Sequence, residues 1–446
     1  MRVEIHEKAM FQSFMNQIYP EYYQVQVGGI SIDSRLVQAN DIFIALNGDR
    51  VDGHQFIPQA VELGASLVVS EDEVETSVPV IRVPSTHEFL IDFAQNWWKQ
   101  YSMPVVGITG SNGKTTTKEL LVHVLKSVMS VAWMPGNYNS TIGLPLSLFA
   151  LPVSTDAAVL EMGTSAPGEI NTLTNLIRPT MGVITNIHPA HIEFFSSLDH
   201  IAQEKVDLIK NLPSDGIAFI NLDDPSIRSI QTDAKRVTYG NDDSADYIGY
   251  WQSTVNNHIF TINGREIPIP LNSETMAKNT LAVYAISHTL GLSHEDIVNQ
   301  ISTFTVPEGR GNIIEKNGIT VIDDTYNANP ESAKAGIEFA LTTNQNQRHI
   351  VIIGDMFELG TNTLEYHTEL GEFISTKSNI FLLTYGNYSE KISDICSSCG
   401  LFSRHFNTPE SINLFLKQFI RTGDIIYVKG SRGMKMETII KGGIFS

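Results

Sequence analysis

Residues 107–121 read GITGSNGKTTTKELL. An apolar run, PVVGITG, goes directly into Gly110, Ser111, Asn112, Gly113, Lys114 and Thr115, and a helix-like pattern follows. Glycines at such a turn let backbone N–H groups point inward and close on phosphate oxygens, and the next helix adds the positive end of its dipole. Lys114 can reach the β- and γ-phosphates, the Thr115 hydroxyl can ligate Mg²⁺, and Thr116 continues the loop into the helix. A chain with this turn needs a buried strand before it and a helix after it, which dictates an α/β unit. The general Walker pattern would place its first glycine at Ile108; here Gly110 takes up the turn. A GTPase would carry an N-K-x-D guanine reader after a later strand, and the corresponding strand reads VITNIHPAH without one. A kinase, an ATP-driven ligase and a motor stay open on this loop alone.

The rest of the chain extends the same pattern. AAVLEMG, MGVITNI and GIAFINLDD are apolar runs that stop at polar or glycine residues, with helical stretches such as TTTKELLVHVLKSV between them. That spacing predicts parallel βαβ units. Before the loop, DIFIAL and ASLVVS read as strands, HQFIPQAVELGA as a helix, and STHEFLIDFAQNWWKQYSM as a helix capped by Ser85 or Thr86 that leads out of a first domain. TVPEGRGN, near 305–312, is a Pro/Gly-rich break. After it, ITVIDD, HIVIIGDM, IFLLTYG and DIIYVKGSRG alternate with helices, one starting near Pro330 and one around YHTELGEFIS. At ~100–200 residues per domain, 446 residues suggest about three domains. The boundaries read as 1–100, 101–307 and 308–446.

Composition removes whole classes of function. A net charge of -19 repels nucleic acid and anionic membrane, so no nucleic-acid partner is expected, and a phosphate ligand needs local cations or helix N-termini. No apolar stretch approaches the ~20 residues that span a bilayer, and the opening MRVEIHEKAMFQSFMNQIYP carries acids and no long apolar run. Neither a signal peptide nor membrane insertion is expected, and the cytoplasm is the expected compartment. Cys396 and Cys399 stand as C-x-x-C without a second ligand pair, so they read as ordinary thiols.

Several strand ends carry chemistry. Glu161 follows a buried strand, a suitable place for a Mg²⁺ ligand, although a solvated strand-end acid would look the same. His188 and His191 stand three apart after another strand, without a third ligand at zinc spacing. Asn137 and Asn139, in GNYNSTIGLPLSL, suit hydrogen bonds to phosphate or peptide groups. Lys205 lies in an amphipathic helix, where a lysine is ordinarily solvated. Lys429, Arg432 and Lys435 cluster after the last strand, a local cation group in an acidic protein. The stretch VIDDTYNANPES (321–332) leaves a strand into Asp324, Tyr326, Asn327 and Asn329, too rich in fixed hydrogen-bonding groups for an idle loop.

Taken together, GITGSNGKTTTKE, GNYNSTIGLPLSL, LEMGTSAPGEI, TNIHPAHIEFFSSLDHIAQEKVDLI, VIDDTYNANPESAKAGI, IIGDMFELG and VKGSRGMKME resemble the cytoplasmic Mur ligases of peptidoglycan synthesis. Within that family, the combination of D-x-Y-N-A-N-P, G-D-M-x-E-L-G and V-K-G-S-R-G-M-K-M-E is similar to the members that join D-alanyl-D-alanine to a UDP-N-acetylmuramoyl tripeptide. The resemblance implies three α/β domains: a small UDP-binding domain, a central P-loop ATPase domain with a parallel sheet, and a C-terminal Rossmann-like lid. In the first, SIDSRLVQANDIFIALNGDRVDGHQF matches the UDP-binding stretch, with Ser34 and Arg35 in its D-S-R motif and Asp49, Arg50 and Val51 in the nucleotide-sugar loop.

The implied chemistry converts the tripeptide carboxylate into an acyl phosphate at the expense of ATP, after which the dipeptide amine displaces phosphate. Positioning and charge neutralisation dominate such phosphoryl transfer. By resemblance, Lys114 and Thr115 serve ATP and a first Mg²⁺, Glu161 ligates Mg²⁺, and His188 lies near a second ion. Lys205 matches the lysine that becomes a carbamate in many relatives, which would turn a cation into an anion able to orient Mg²⁺. Asp324 and Tyr326 would meet the ribose or base, Asn327 and Asn329 ligand amides or carboxylates, and Arg310 the phosphates from the domain boundary. Asn137 would assist the nucleotide. Asn139 and Thr164 would assist the substrate, and Lys429, Ser431 and Arg432 would line the dipeptide or acyl-phosphate side. A monomer is expected.

One departure stands out. The family usually shows H-N-x-x-N ending at the adenine-reading asparagine; here the stretch is Thr275-Met276-Ala277-Lys278-Asn279, so Asn279 is kept and the upstream pair is not. Three alternatives compete: a sister ligase adding a single diamino acid, a folylpolyglutamate synthase, and a non-catalytic nucleotide-binding scaffold. The first should carry a D-N-P-R-type reader where this chain has GDMFELG, and the second lacks the UDP-binding domain. A scaffold should have lost at least one of Lys114, Glu161, Lys205 and Arg310. Lysine and diaminopimelate both stay open as the tripeptide's third residue.

Overall fold

The computed structural model describes residues 1–48, 51–190, 192–253, 258–270 and 273–444. Asp49, Arg50 and His191 lie outside the described residues. Three sheets, each with its own stretch of chain, organise the molecule.

The first sheet holds β1 (Arg2–Glu4), β2 (Gly29–Ser31), β3 (Asp41–Ile44), β4 (Ala65–Ser70) and β5 (Val80–Arg82), side by side in chain order. Only the β1–β2 pair is antiparallel. The single helix predicted over 54–65 is instead a 3₁₀ turn, Gly53–Phe56, and a short helix, Ile57–Glu62. Pro58 sits in the first turn of that helix, where its missing N–H costs nothing, and Gly64 at φ +106° turns the chain into β4.

Helix Thr86–Trp98 follows, capped by Ser85, whose hydroxyl accepts the Glu88 N–H at 3.2 Å. Its buried side joins two domains. Trp97 packs edge-on to Phe11 of the first domain, with ring centroids 5.3 Å apart, and donates to the Leu148 carbonyl of the second at 3.3 Å. Trp98 donates to the Ile177 carbonyl at 2.8 Å. One continuous apolar cluster therefore runs from Ile30 and Ile42 to Leu144 and Ile170.

The second sheet comprises β6 (Val105–Thr109), β7 (Val131–Ala132), β8 (Ala157–Glu161), β9 (Met181–Ile184), β10 (Ile217–Asn221), β11 (Lys235–Gly240), β12 (Tyr247–Ser253), β13 (His258–Ile262) and β14 (Arg265–Glu266). Their order is β14-β13-β12-β11-β10-β9-β6-β8-β7. From β7 to β12 every pairing is parallel, and β12–β13–β14 form an antiparallel edge that strand–helix alternation does not foretell. All five β6 residues are buried, which is why the strand reads as an unbroken apolar run. The chain leaves β6 toward β7 and β8 on one side and then crosses to β9 on the other. That makes the carboxyl end of β6 a topological switch point, where open α/β sheets bind ligands.

The third sheet has β15 (Asn312–Lys316), β16 (Ile319–Asp324), β17 (His349–Gly354), β18 (Ile380–Tyr385), β19 (Ser403–Phe406) and β20 (Ile425–Lys429), in the order β15-β16-β20-β17-β18-β19. Asn317 and Gly318, both at positive φ, turn the β15–β16 hairpin. The other pairings are parallel. The fold is thus three α/β domains with mixed, mostly parallel sheets. Among the described residues no helix is long and apolar enough to cross a membrane.

Candidate active site

The phosphate loop leaves β6 at the switch point. A Cβ at Gly110 would collide with the Thr185 hydroxyl, and one at Gly113 would come within 2.7 Å of Asn279 Oδ1; both residues have positive φ. The loop is held from behind by the segment after β9. Ser111 N–H donates to the Asn186 carbonyl at 2.9 Å, and Asn112 N–H to Asn186 Oδ1 at 2.9 Å. The Asn112 carbonyl accepts from Thr185 Oγ1 at 2.6 Å and from Asn186 Nδ2 at 3.1 Å. The Ser111 hydroxyl donates to the His188 carbonyl at 2.8 Å and accepts the His188 N–H at 2.9 Å. Thr185 and Asn186 escaped the sequence reading. Their place just past a buried strand beside the loop was the only signal. Lys114 opens helix Lys114–Leu125 and curls its ammonium onto the Gly110 carbonyl at 2.7 Å. Burial lowers its proton affinity, against the pull of Glu161 and with the help of Arg310.

Glu161 ends β8 and is 4% exposed. Its Oε1 accepts Asn139 Nδ2 at 2.7 Å, Lys118 Nζ lies 4.0 Å from Oε2, and no hydrogen bond reaches Oε2 among the described residues. Buried Lys118, also missed by sequence reasoning, donates to the Met134 and Gly136 carbonyls at 2.8 and 2.6 Å. It thereby fixes the turn that carries Asn137 and Asn139. A buried carboxylate oxygen without a hydrogen bond, together with the Thr115 hydroxyl, is a hard-oxygen donor set suited to Mg²⁺. No cluster of three or more His, Cys, Asp or Glu side chains that could hold a metal exists among the described residues. An ion shared with nucleotide phosphates suits such a sparse set. Cys396 is buried and Cys399 exposed, both as free thiols.

Lys205 sits in helix Leu198–Lys210, buried, with no hydrogen bond to its ammonium among the described residues. Burial, and then the charge of Lys114, push its pKa down to about 7, with Glu204 opposing. Glu204 itself is committed to backbone, accepting Gly168 N–H at 2.6 Å, Ile170 N–H at 2.7 Å and the Thr164 hydroxyl at 3.2 Å. As a protonated ammonium, residue 205 offers a metal only repulsion.

The third domain faces the loop directly. Arg310 donates to the Thr115 hydroxyl at 3.1 Å and lies over the Tyr326 ring at 3.6 Å. Asn329 Nδ2 donates to Asn112 Oδ1 at 2.6 Å, while its own Oδ1 caps helix Pro330–Thr342 by accepting the Ser332 N–H at 2.9 Å. Asp324 and Lys429, opposite each other on β16 and β20, form an ion pair at 2.5 Å, and the Tyr427 hydroxyl donates to the same carboxylate at 2.9 Å. Asn327 Oδ1 accepts the Arg432 N–H at 3.3 Å, and buried Ser431 accepts the Phe357 N–H at 2.8 Å. The Arg432 side chain is exposed and pairs with Glu437 at 3.2 Å.

Between the second and third domains lies a cavity of about 1140 Å³. Residues 111–116 of the loop line it, as do Asn137, Asn139, Glu161, Thr164, His188 and Asn279. Arg310, Asp324, Tyr326, Asn327, Asn329 and Lys429 close it from the other side. Gly110, Lys205, Ser431 and Arg432 are not among its lining residues. Ser34, Arg35 and Val51 lie in the first domain and take no part in it. There Ser34 donates to Gln59 at 2.7 Å, Arg35 pairs with Asp33 at 2.7 Å and Val51 is exposed.

Each of the three domains matches a known family. Residues 26–98 match the Mur ligase family catalytic domain, 108–287 the Mur ligase middle domain, and 309–432 the Mur ligase glutamate ligase domain. The chain is 34% identical over 434 residues to the UDP-N-acetylmuramoyl-tripeptide–D-alanyl-D-alanine ligase of Bacillus subtilis, covering 95% of this chain and 94% of that one. The crystal structure of MurF from Acinetobacter baumannii superposes with a TM-score of 0.87 at 26% identity, covering 100% and 99% of the two chains. MurF ligase from Thermotoga maritima, in complex with ADP, gives 0.83 at 30% identity, covering 92% and 96%.

Proposed function

The chain belongs to the Mur ligase family, and from that premise we infer that it joins D-alanyl-D-alanine to a UDP-N-acetylmuramoyl tripeptide in peptidoglycan synthesis, driven by ATP. One observation carries this reading: the similarity to ligases of that specificity runs through all three domains, over 95% of the chain.

The family resemblance implies the chemistry, and the groups lining the cavity suit it. A carboxylate is a poor electrophile at neutral pH, so its oxygen first attacks the γ-phosphorus and ADP leaves. The resulting acyl phosphate has a good leaving group. The dipeptide amine adds to the carbonyl, and the tetrahedral intermediate collapses to an amide and phosphate. In this scheme the loop N–H groups and Lys114 hold the transferring phosphoryl group. Arg310, already bonded to Thr115, neutralises its charge from the domain boundary. Asn137 and Asn279 assist the nucleotide, and Asp324 and Tyr326 meet its ribose or base. Asn139, Thr164, Asn327 and Asn329 orient the two acceptor ends, with Lys429, Ser431 and Arg432 behind them. Ser34, Arg35 and Val51 take the UDP end, as do Asp49 and Arg50 outside the described residues. Glu161 and Thr115 would hold Mg²⁺, with His188 toward a second ion, and the ion would supply neutralisation of the phosphates. Lys205, poised to be neutral, can add CO₂, release a proton and become a carbamate anion near Lys114. Residues 1–100, 101–307 and 308–446 form the three domains. Every group invoked comes from one chain, so a monomer suffices, and the substrates place it in the cytoplasm.

Mass spectrometry of products, with ATP, UDP-muramoyl tripeptide and a panel of amino acids and dipeptides, tests the assignment. The D-alanyl-D-alanine adduct should dominate. Equal turnover with free D-alanine or a diamino acid would overturn it.

A further inference from the structure

We propose that Trp251 and Met276 seat the nucleotide's base, with the indole stacked on its face; this rests on reading the cavity as the ATP site. A Cβ at Gly113 would come 2.7 Å from Asn279 Oδ1. The phosphate loop therefore touches helix Glu274–Thr289 at Asn279. One turn nearer the helix start, ~5.4 Å along its axis, stand Thr275 and Met276. Ser273 caps that start by accepting the Met276 N–H at 3.2 Å.

Strand β12 lies across the same helix: a Cβ at Gly249 would collide with the Leu281 side chain. Side chains alternate along a strand, so Trp251 shares the face of Gly249, one repeat onward. Its partner across β13 is buried Phe260, which anchors that end of the strand. Trp251, Met276, Lys278 and Asn279 all line the cavity. Asn279 and Met276 on the helix, and Trp251 on the strand packed across it, thus line the same cavity as the phosphate loop. A nucleotide whose phosphates lie on Gly110–Thr115 lays its sugar and base along these residues.

The chemistry of this lining suits a base. An indole offers a flat polarisable face, and a thioether adapts to an aromatic edge. Thr275 and Met276 stand where the resemblance leads one to expect a His-Asn pair. The apolar contact they and Trp251 provide replaces hydrogen bonds with stacking.

Intrinsic fluorescence tests this on the full-length protein. Trp97 and Trp98 are buried in the core shared by the first two domains, and Trp133 lies under the Lys126 ammonium at 3.1 Å. Trp251 alone of the four tryptophans lines the cavity. Adding ADP should change the emission, with binding followed in parallel by calorimetry. Trp251→Phe should bind ADP with nearly wild-type affinity and show no such change. Trp251→Ala should bind ADP roughly 5- to 100-fold more weakly, the range expected for one base–aromatic stack, while binding inorganic tripolyphosphate as before. ADP binding by wild type without an emission change, or wild-type ADP affinity in Trp251→Ala, would overturn the proposal and leave the ATP-site reading intact. Failure of wild type to bind either ADP or tripolyphosphate would instead remove that reading, and the proposal with it.

Discussion

Lys205 is buried, with no hydrogen-bonded partner among the described residues, and burial governs its protonation. In the unfolded chain it holds its proton up to its ordinary 10.5, and in the folded protein it releases it at about 7. Between those values the unfolded chain binds more protons, so folding gains stability as pH rises and loses it as pH falls toward 7. In CO₂-free buffer, denaturant unfolding should show wild type gaining more stability than Lys205→Met between pH 7 and pH 9. Equal gains would mean that Lys205 titrates like an exposed lysine. A neutral amine is also what CO₂ requires. With ¹³C-bicarbonate, wild type should show a carbamate carbon signal that Lys205→Met lacks, and a matching spectrum from the two would remove the modification from the scheme. At the loop, Lys114→Ala should keep its thermal unfolding midpoint within a few degrees and lose nearly all turnover, because among the described residues Lys114 bonds only the loop's own carbonyls. Retained turnover would contradict its role.

Asn329 shows how one side chain ties an element to the site. Its oxygen caps helix Pro330–Thr342, and its nitrogen reaches Asn112 in the phosphate loop. Asn329→Asp keeps the cap and loses the donor, whereas Asn329→Ala loses both. Chemical denaturation should therefore show a loss of about 1 kcal/mol in the alanine variant and much less in the aspartate variant. Both should raise the KM for ATP; an aspartate variant as destabilised as alanine would deny the separation of roles. The same elements show what a reader of the sequence can and cannot see. ITVIDD and ASLVVS coincide with β16 and β4, because buried parallel strands are short apolar runs bounded by breakers. Glu161, His188 and Asp324 could be picked out because they stand at strand ends, where such sheets expose ligand-facing groups. Thr185, Asn186, Lys118 and Glu204 could not, since they act by holding backbone, and no residue type announces that task. The Asp324–Lys429 pair was hidden for another reason: it depends on the register between β16 and β20, strands about a hundred residues apart. Trp251 lies in the antiparallel edge, outside the strand–helix rhythm that revealed the rest.

Across the whole molecule, two joints differ in kind. Helix Thr86–Trp98 fuses the first and second domains through a shared apolar core. Trp97→Ala should destabilise this unit by ~3–5 kcal/mol, and denaturation should stay a single transition for both domains. A loss below about 1 kcal/mol would mean that the two cores are independent. The joint to the third domain is lighter and mostly polar. It includes Arg310 to Thr115, Asn329 to Asn112, and a backbone bond from Glu193 to Glu358 at 3.2 Å, with Ile192 touching the apolar cores on both sides. A cavity walled by both domains and bridged by few bonds lets the large substrates in and then excludes water. The reaction it encloses can be followed atom by atom. With ¹⁸O in the terminal carboxylate of the UDP-muramoyl tripeptide, one turnover with ATP and D-alanyl-D-alanine should deliver a single ¹⁸O to inorganic phosphate. The new amide should retain the other. Phosphate released without label, while the amide forms, would contradict activation through an acyl phosphate.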